Sequence, residues 1–447
     1  MSTATALPTR QADGDPFLEL TGVEMAQLKD MAEVVPDIDA HFNRFTEPAQ
    51  EGPMTQSLTG PTLTRISLQD FEVDPVNGFL PGTDPLRRLS GSYAEWDEIA
   101  ARLPKYLVSG RARTLLRDVP QFDTAALRDG AELERAMLLL SYFGHAWIND
   151  TEPPVDSVPA NIAVPWAAVA ARLGRPPILS YASQQLHNWR RLDDSRPVEL
   201  GNIARLQDFL GGMDDDWFVM VHIAIEAAAA PALQAAVRAQ DAVLGGDADA
   251  LAEELREVAV GLAAMRAVLA RIPERCDSYV YHHRVRRFLF GWKNNPALPE
   301  GIHYEGVTAF GGRPQSFSGE SGAQSAIIPF LDTVFGIGDE ADPLAAHMLC
   351  LRDYVPPAHR AFIEHVGPRA DLRGMLLRGR PQEAVAAYNE CIEATHAFRR
   401  LHLGCVALYT HQAQRDASNP DDVGTEGAPF VKYLCRHLDN VLRHVIR

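Results

Sequence analysis

One histidine interrupts an otherwise apolar stretch near the end of the chain. The segment FRRLHLGCVALYTH (398–411) has helical spacing, and residues three and four apart on a helix share a face. His402 then lies on an apolar stripe with Phe398, Cys405 and Tyr409, which predicts that the stripe points inward. A buried imidazole needs a hydrogen-bonding partner or a metal, because an unpaired buried polar group costs about 1–3 kcal/mol. Taken alone, the stretch favours a satisfied core histidine over a ligand.

A second histidine has the same setting in WFVMVHIAIEAAAA (217–230). Helical spacing puts His222 on one face with Phe218 and Glu226, and the alanine run that follows allows close approach of another group. Helical bundles build cofactor sites from inward side chains of facing helices. The two histidines together predict a site where one imidazole binds a metal and the other faces the open coordination position.

Other metal and cofactor chemistries fit the sequence less well. A zinc hydrolase would show HExxH or clustered ligands, whereas His282 and His283 are adjacent and point about 100° apart on a helix. The sequence contains no GxSxG, P-loop or GxGxxG motif, and the absence of CxxCH excludes c-type haem attachment. A single axial histidine in a helical protein points most naturally to haem.

Bulk composition predicts an ordinary globular protein. The 447 residues are 46% hydrophobic and 23% charged, and the net charge of −17 argues against nucleic acid or anionic membrane as a partner. The five cysteines show no CxxC spacing, which argues against thiolate zinc and a disulfide framework. With no signal-peptide pattern and no apolar run of about 18 residues, we expect a cytoplasmic protein without a membrane partner.

The pattern of elements predicts an all-α fold, with a smaller N-terminal helical domain and a larger C-terminal helical bundle. We expect a loosely ordered extension at 1–60, the small domain at 61–205 and the large domain at 206–447. A helix is predicted over 176–192, among others. Two glycine-rich stretches, 291–325 and 414–429, interrupt the helical text; the first is expected to be functional or disordered and the second to act as a lid.

Several blocks of sequence resemble the indoleamine 2,3-dioxygenase family. They occur in order between about residues 130 and 447, and are NIAVPWAAVAARLGRPPILSYASQQLHNW, FGWKNNPALPEGIHYEGV, FSGESGAQSAIIPFLDTVFGI, RDYVPPAHRAFI and FRRLHLGCVALY. The resemblance implies a haem b enzyme with a small and a large helical domain. Such an enzyme cleaves the indole C2–C3 bond of L-tryptophan, or of a related indole, with O2, and needs an electron donor to keep its iron ferrous.

The resemblance also assigns residues to the haem. It implies that His402 is the proximal iron ligand; Val406, which helical spacing places on the same stripe as His402, is a candidate for the same haem-binding face. Arg399 lies one turn before His402, where its guanidinium could reach a propionate. Asp332 matches the position near the haem edge that orients proximal groups. Ser321 matches the loop over haem and substrate and is a candidate for both cofactor binding and catalysis.

On the substrate side, the resemblance implies that one arginine clamps the substrate carboxylate. Arg286 is favoured for this role over Arg284 and Arg287 by its spacing to Gly291 and Trp292. The other predicted substrate-binding residues are Tyr181, Gln185, Phe218, His222, Tyr281, Gly322 and Thr425, of which His222 is also a catalytic candidate.

Polar residues replace less polar ones at four places in this pocket, compared with the mammalian-type pattern. They are His222, Tyr281, the pair Gln184 and Gln185, and Glu320. An imidazole at 222, as in tryptophan 2,3-dioxygenases, could accept the indole N–H or donate to O2, depending on its tautomer. Plain tryptophan is therefore less secure as the substrate. A haem monooxygenase or peroxygenase acting on a substituted aromatic amino acid, and a haem or gas sensor, stay open as alternatives.

Overall fold

The computed structural model describes residues 66–120, 122–338, 348–410, 424–425 and 430–447. Within these ranges the chain is predominantly helical, which confirms the predicted all-α class. The α-helices are α1 Ala94–Val108, α2 Ala112–Arg117, α3 Gly130–Asn149, α4 Ala160–Leu173, α5 Met213–Gly245, α6 Ala248–Leu269, α7 Ser278–Val280, α8 Ile327–Phe335, α9 Pro357–Ala361, α10 Leu372–Gly379, α11 Gln382–Thr410 and α12 Phe430–Val441.

Four short strands form two small sheets in the described chain. The strands are β1 Ser157–Val158, β2 Trp189–Arg191, β3 Ile203–Arg205 and β4 His303–Tyr304. The β2 and β3 strands pair antiparallel, whereas β1 and β4 pair in parallel and tie the long glycine-rich segment to the chain that leads into α4. The pairing of β1 with β4 therefore anchors that segment, which was predicted to be functional or disordered, to the chain before α4.

The α5, α6 and α11 helices form the central bundle, with α6 packed against both of the others. Close approach of α5 and α6 depends on Gly261, because a Cβ there would lie 2.6 Å from the Cβ of Ala232. The first turn of α5 carries three aspartates, which favour a helix N-terminus, and a buried ion pair between Asp215 and Arg205 (2.9 Å) fixes it to β3. The helix that carries His222 is thus held at its start and along its length.

The α5 helix is long and apolar enough to cross a membrane by length and composition, which the sequence expectation had missed. Its packing explains the composition differently. In its most apolar stretch 61% of the residues are buried inside the protein, against α6 and neighbouring elements. The helix therefore behaves as the core helix of a bundle.

The first four helices pack mainly on one another, with contacts of α3 to α1, α2 and α4. A buried ion pair between Arg135 and Asp97, with Nε 3.1 Å from the carboxylate, joins α3 to α1. These contacts are compatible with a small N-terminal unit, but the boundaries at 61–205 and 206–447 stay predictions. The extension at 1–60 and most of 414–429 lie outside the described residues.

The helix predicted over 176–192 is wrong. Only one π-helical turn, Ala182–Leu186, forms there, and β2 follows it. The two prolines at 176 and 177 disfavour an α-helix at its start, and every residue from 178 to 186 is buried, so no exposed face exists. The apolar residues that suggested one face of a helix belong to a segment that is buried on all sides. A second π-helical turn, Tyr281–Val285, continues α7 and leads into Arg286–Phe288.

Candidate active site

Two adjoining cavities lie beside the central bundle. They contain about 1000 and 1810 Å³ of empty space, at or above the roughly 300–1,000 Å³ of ordinary small-molecule sites. His222 and His402 line both cavities, together with Gly322 of the glycine-rich segment. The structure therefore brings the two predicted histidines from α5 and α11 to one shared wall.

The larger cavity is mainly apolar and has a charged edge. Side chains such as Ile327, Ile363 and Phe398 line it, and the edge carries Arg399 and Asp332. A planar, largely apolar macrocycle with acidic substituents needs this combination of surfaces. Gly322 supports the fit, since a Cβ there would meet no atom within 4 Å and the wall stays open. The cavity suits haem.

Arg399 and Asp332 form an ion pair at that edge, in which the guanidinium Nη2 donates to the carboxylate. Burial raises the pKa of Asp332, and the charge of Arg399 opposes the shift. One carboxylate oxygen, Oδ1, is buried without a hydrogen-bond partner in the described chain. A guanidinium has five N–H donors, so this pair leaves Arg399 with donors for an acidic ligand group.

His402 has the properties of a free metal ligand. Burial, with the nearby His222 and Arg399, lowers the pKa of His402 to about 4, so the imidazole is neutral at pH 7. A metal requires the neutral ring. No hydrogen bond from this ring to another described residue is found, although it is half-buried. Among the described residues no group of three or more His, Cys, Asp and Glu side chains could hold a metal ion, so a porphyrin would have to supply the remaining ligands.

The hydrogen bond of His222 decides its tautomer. Its Nδ1 lies 2.8 Å from the carbonyl oxygen of Phe218, one turn earlier, and must donate to it. Burial lowers the pKa of His222, so the ring is neutral and Nε2 is an acceptor. Of the two alternatives that the sequence left open, this geometry favours acceptance of an indole N–H.

Aromatic side chains form one wall of the smaller cavity. The Phe218 ring lies 4.5 Å from the His222 ring and 4.6 Å from the Tyr281 ring, measured between centroids. Burial and the charge of Glu320 raise the pKa of Tyr281, which keeps its hydroxyl protonated. Phe218 and Tyr281 thus line the smaller cavity with aromatic rings, and their contact with a substrate stays a prediction.

Of the three candidate arginines, only Arg286 lines the smaller cavity. It is 2% exposed, and its guanidinium carbon lies 5.3 Å from the centroid of the Phe290 ring. Arg284 is exposed, and Arg287 forms an ion pair with Glu152 at 2.8 Å. The structure therefore offers Arg286, as the spacing predicted, for an anionic group in this cavity.

Ser321, Gly322 and Thr425 also line the smaller cavity, and Val406 lies on the α11 wall. The Ser321 hydroxyl accepts from the backbone N–H of Ala323 at 3.3 Å and begins a short helical turn. This contact gives Ser321 a structural role, while a catalytic one stays a prediction.

Gly291 and Gly319 allow the loop that covers the smaller cavity to pack closely against the neighbouring segments. A Cβ at Gly319 would lie 2.3 Å from the Gly291 nitrogen and 2.6 Å from the Thr425 carbonyl oxygen. The Thr425 hydroxyl donates to the carbonyl of Glu320, and the Gly291 N–H donates to the carbonyl of Thr425 at 3.0 Å. Three segments distant in sequence therefore meet over the cavity.

Tyr181 lines the larger cavity instead of the smaller one. Its hydroxyl and that of Ser325 both donate to Oε1 of Glu226, each at 2.8 Å. Glu226 is fully buried one turn after His222; burial raises its pKa to about 7, and its Oε2 has no partner in the described chain. This carboxyl group joins α5, the 182–186 turn and the covering loop, and sequence reasoning gave it no role beyond the helical face.

Gln185 lines neither cavity. Its Nε2 donates to Oε1 of Glu320 at 3.1 Å, and Glu320 is the residue that reaches the smaller cavity. Direct substrate contact by Gln185, as predicted, therefore has no support in this geometry. Glu320 was noticed in the sequence as a departure but not assigned to the site. Its position next to Ser321, in the loop expected to cover the haem and substrate, was the sequence feature that could have identified it as a site residue.

Comparisons with known proteins agree with this geometry. The family model described as indoleamine 2,3-dioxygenase matches residues 67–429. The chain belongs to the indoleamine 2,3-dioxygenase family. It is similar to indoleamine 2,3-dioxygenase 1 of Rattus norvegicus (34% identity, covering 83% of this chain and 94% of the relative). It is also similar to indoleamine 2,3-dioxygenase 2 of Mus musculus (32%, 86% and 96%).

A more distant relative differs in its named substrate. The 6-hydroxytryptophan 2,3-dioxygenase of Fusarium equiseti is 28% identical over 77% of this chain and 85% of the relative. Family membership establishes that the protein is a haem-dependent dioxygenase that acts on tryptophan or an indole derivative. The particular indole is not fixed by it.

Proposed function

We propose that the protein binds haem b through His402 and cleaves the C2–C3 bond of L-tryptophan or a ring-substituted tryptophan. Both atoms of O2 enter the N-formylkynurenine-type product. The observation that carries the proposal is the placement of a neutral His402, with no hydrogen-bond partner among the described residues, beside His222 on the wall shared by a large, mainly apolar cavity that Arg399 and Asp332 line and a smaller cavity that Arg286 lines.

The chain's own residues bind and orient the reactants. In the proposal, Arg399 and Asp332 hold the haem edge, while the α11 face with Val406 packs on the ring. Arg286 pairs with the substrate carboxylate, and Phe218 stacks on the indole. When bound, the haem iron supplies the oxygen chemistry, which is a property of the cofactor.

His222 orients the substrate in this proposal. Its Nε2 is an acceptor because Nδ1 donates to Phe218, so it suits the indole N–H. A neutral imidazole fixed by a backbone carbonyl holds the ring in one pose and needs no proton transfer to do so. Thr425 and Gly322 then cover the pocket and help to exclude water. We further propose a cytoplasmic enzyme that depends on an external electron donor to keep the iron ferrous.

Labelling with ¹⁸O2 tests the reaction. The reduced holoenzyme is incubated with L-tryptophan and with hydroxytryptophans, and the products are analysed by mass spectrometry. Two labelled oxygen atoms in a ring-opened product are expected. One labelled atom in a product with an intact indole would show a hydroxylase instead, and O2 binding without turnover of any aromatic amino acid would show a sensor.

A further inference from the structure

A fully buried histidine of α3, His145, uses both of its ring nitrogens. Its Nε2 accepts the backbone N–H of Leu179 at 3.1 Å, so the proton lies on Nδ1, which donates to the carbonyl oxygen of Phe288 at 2.7 Å. Burial lowers the pKa of His145 to about 4, so the ring is neutral at pH 7. The N–H of Leu179 therefore decides that Nδ1 is the donor.

The bond to Phe288 fixes the turn that carries Arg286. Phe288 ends the short helical turn Arg286–Phe288, and Arg286 lines the smaller cavity. The next residue, Leu289, contacts the loop that covers this cavity, because its carbonyl accepts the backbone N–H of Glu320 at 3.2 Å. The turn thus lies between α3 and the covering loop, and its buried hydrogen bond to α3 is the one made by the imidazole.

Packing holds the ring of His145 in place. The Trp292 ring lies 4.7 Å from it, and the Trp166 ring lies 6.2 Å from it, measured between centroids. The neighbouring Gly144 lets α3 approach Trp166, because a Cβ at this position would collide with the indole. A side chain that is locked by its surroundings can hold the groups bonded to it within a fraction of an ångström. The imidazole is therefore a rigid support for the turn.

The turn has a second contact with the end of α3, nearer the surface. Arg287 forms an ion pair with Glu152 at 2.8 Å and donates to the carbonyl of Asn149. The Glu152 side chain is 57% exposed, and exposed ion pairs contribute little to stability. Breaking a buried hydrogen bond costs more, because the group left behind has no water to bind. We therefore expect His145 to have more influence than Arg287 on where the turn lies.

We propose that His145 is a positioning residue for substrate binding: its Nδ1–H holds the turn of Arg286 against α3, so that the guanidinium meets the substrate carboxylate. The inference rests on the proposed function, which assigns that carboxylate to Arg286. Pairing of a guanidinium with a carboxylate depends on distance and angle, so a small displacement of the turn lowers the affinity. His145 lines neither cavity and acts only through Phe288.

Two amide variants separate the two bonds of His145. The side-chain nitrogen of asparagine is bonded to Cγ, as Nδ1 is, so His145→Asn can still donate to Phe288 but does not reach Leu179. The glutamine oxygen lies one atom further out, as Nε2 does, so His145→Gln can accept from Leu179 but leaves Phe288 without its donor. The turn of Arg286 should therefore stay in place in His145→Asn and shift in His145→Gln.

The measurement is the preference for L-tryptophan over tryptamine, which lacks the carboxylate. Both Kd values are read from the change in the Soret band of the full-length ferric holoenzyme. The preference should fall about tenfold in His145→Gln and stay within about twofold of wild type in His145→Asn. His145→Phe keeps an aromatic ring but loses both bonds, and should behave like His145→Gln; it replaces that variant if the glutamine protein does not fold. An unchanged preference in these two variants, or an equal fall in His145→Asn, would overturn the proposal.

Two further variants complete the test. Asn161→Leu, on α4, removes bonds to the carbonyls of Leu116 and Val119 (3.2 and 3.3 Å) and is the control for a general loss of stability. Its preference should equal that of wild type, and an equal fall there would count against the proposal. Arg286→Ala should lower the preference most. If it has no effect, the proposed carboxylate clamp is wrong and this proposal falls with it; if only His145→Gln has no effect, the clamp survives and the role of His145 is wrong.

Discussion

The two cavities differ in how their polar groups are arranged. In the larger one, the ion pair of Arg399 and Asp332 lies among many apolar side chains, and His222 and His402 stand on the wall shared with the smaller cavity. In the smaller one, His222, Arg286 and Glu320 are distributed among aromatic side chains. A large and mainly apolar cavity suits a planar cofactor, whereas charged groups among aromatic rings can select among smaller ligands. We therefore expect the larger cavity to hold the cofactor and the smaller one to select the substrate.

The largest effect expected in the smaller cavity is that of Arg286. Arg286→Ala should weaken amino-acid binding by roughly 2–5 kcal/mol, because it removes one partner of a buried charge pair. Haem content should stay at the wild-type level, since the residue does not line the larger cavity. Titration of the ferric protein with L-tryptophan measures the loss, and Arg284→Ala, at an exposed position, is the control. An equal loss in both variants would contradict the assignment.

An effect of comparable size, on the pH dependence of the free energy of unfolding, is expected from Glu226, which lies one turn after His222. Its pKa is about 7 in the folded protein and about 4.3 in an unfolded chain. Between these values the folded state binds the extra proton, so this group's contribution makes the free energy of unfolding fall as pH rises towards 7 and then level off. The tyrosine and serine hydroxyls of Tyr181 and Ser325 face it, and His222 lies one turn away.

Glu226→Gln tests this pH dependence. The amide oxygen can still accept from both hydroxyls, but the variant does not titrate. Relative to wild type, it should be more stable at pH 8 than at pH 5 by a difference on the order of 3 kcal/mol. Urea unfolding of the haem-loaded proteins at both pH values gives the difference, with Glu305→Gln as the control. Parallel behaviour of wild type and Glu226→Gln would show that the carboxyl group is ionised throughout.

The smallest expected effect lies in the larger cavity. Asp332→Asn keeps a hydrogen-bond acceptor for Arg399 but removes the charge that fixes it. We expect haem affinity to fall by about 10- to 100-fold, as for other residues that orient groups around a metal. Haem transfer to an excess of apomyoglobin measures the change. The relative affinities for L-tryptophan and ring-substituted tryptophans should not change. A change in them would show that Asp332 also affects the smaller cavity.

Sequence reasoning was most successful where a regular helix presents one face. His402 on α11 and His222 on α5 were placed on inward stripes, and the structure brings them together. Helical spacing is local, so it is visible in a single chain. The prediction of a helix over 176–192 was wrong because a segment that is buried on all sides can show the same apolar spacing as one face of an amphipathic helix.

Contacts between distant segments could not be read from spacing. The bond from Gln185 to Glu320 spans 135 residues, and that from Tyr181 to Glu226 spans 45. Both depend on a π-helical turn that no periodicity predicts. For the same reason, spacing could not show that Gln185 donates to Glu320, which lines the smaller cavity; its predicted contact with the substrate stays a prediction.

The most direct test of the account is the resonance Raman spectrum of the ferrous haem protein. An iron–histidine stretching band that shifts with ⁵⁷Fe is expected in the wild type and in His222→Ala. The band should be lost in His402→Gly and return in altered form when imidazole is added. A band that persists in His402→Gly but disappears in His222→Ala would show that His222 binds the iron, and the roles assigned to the two histidines would be exchanged.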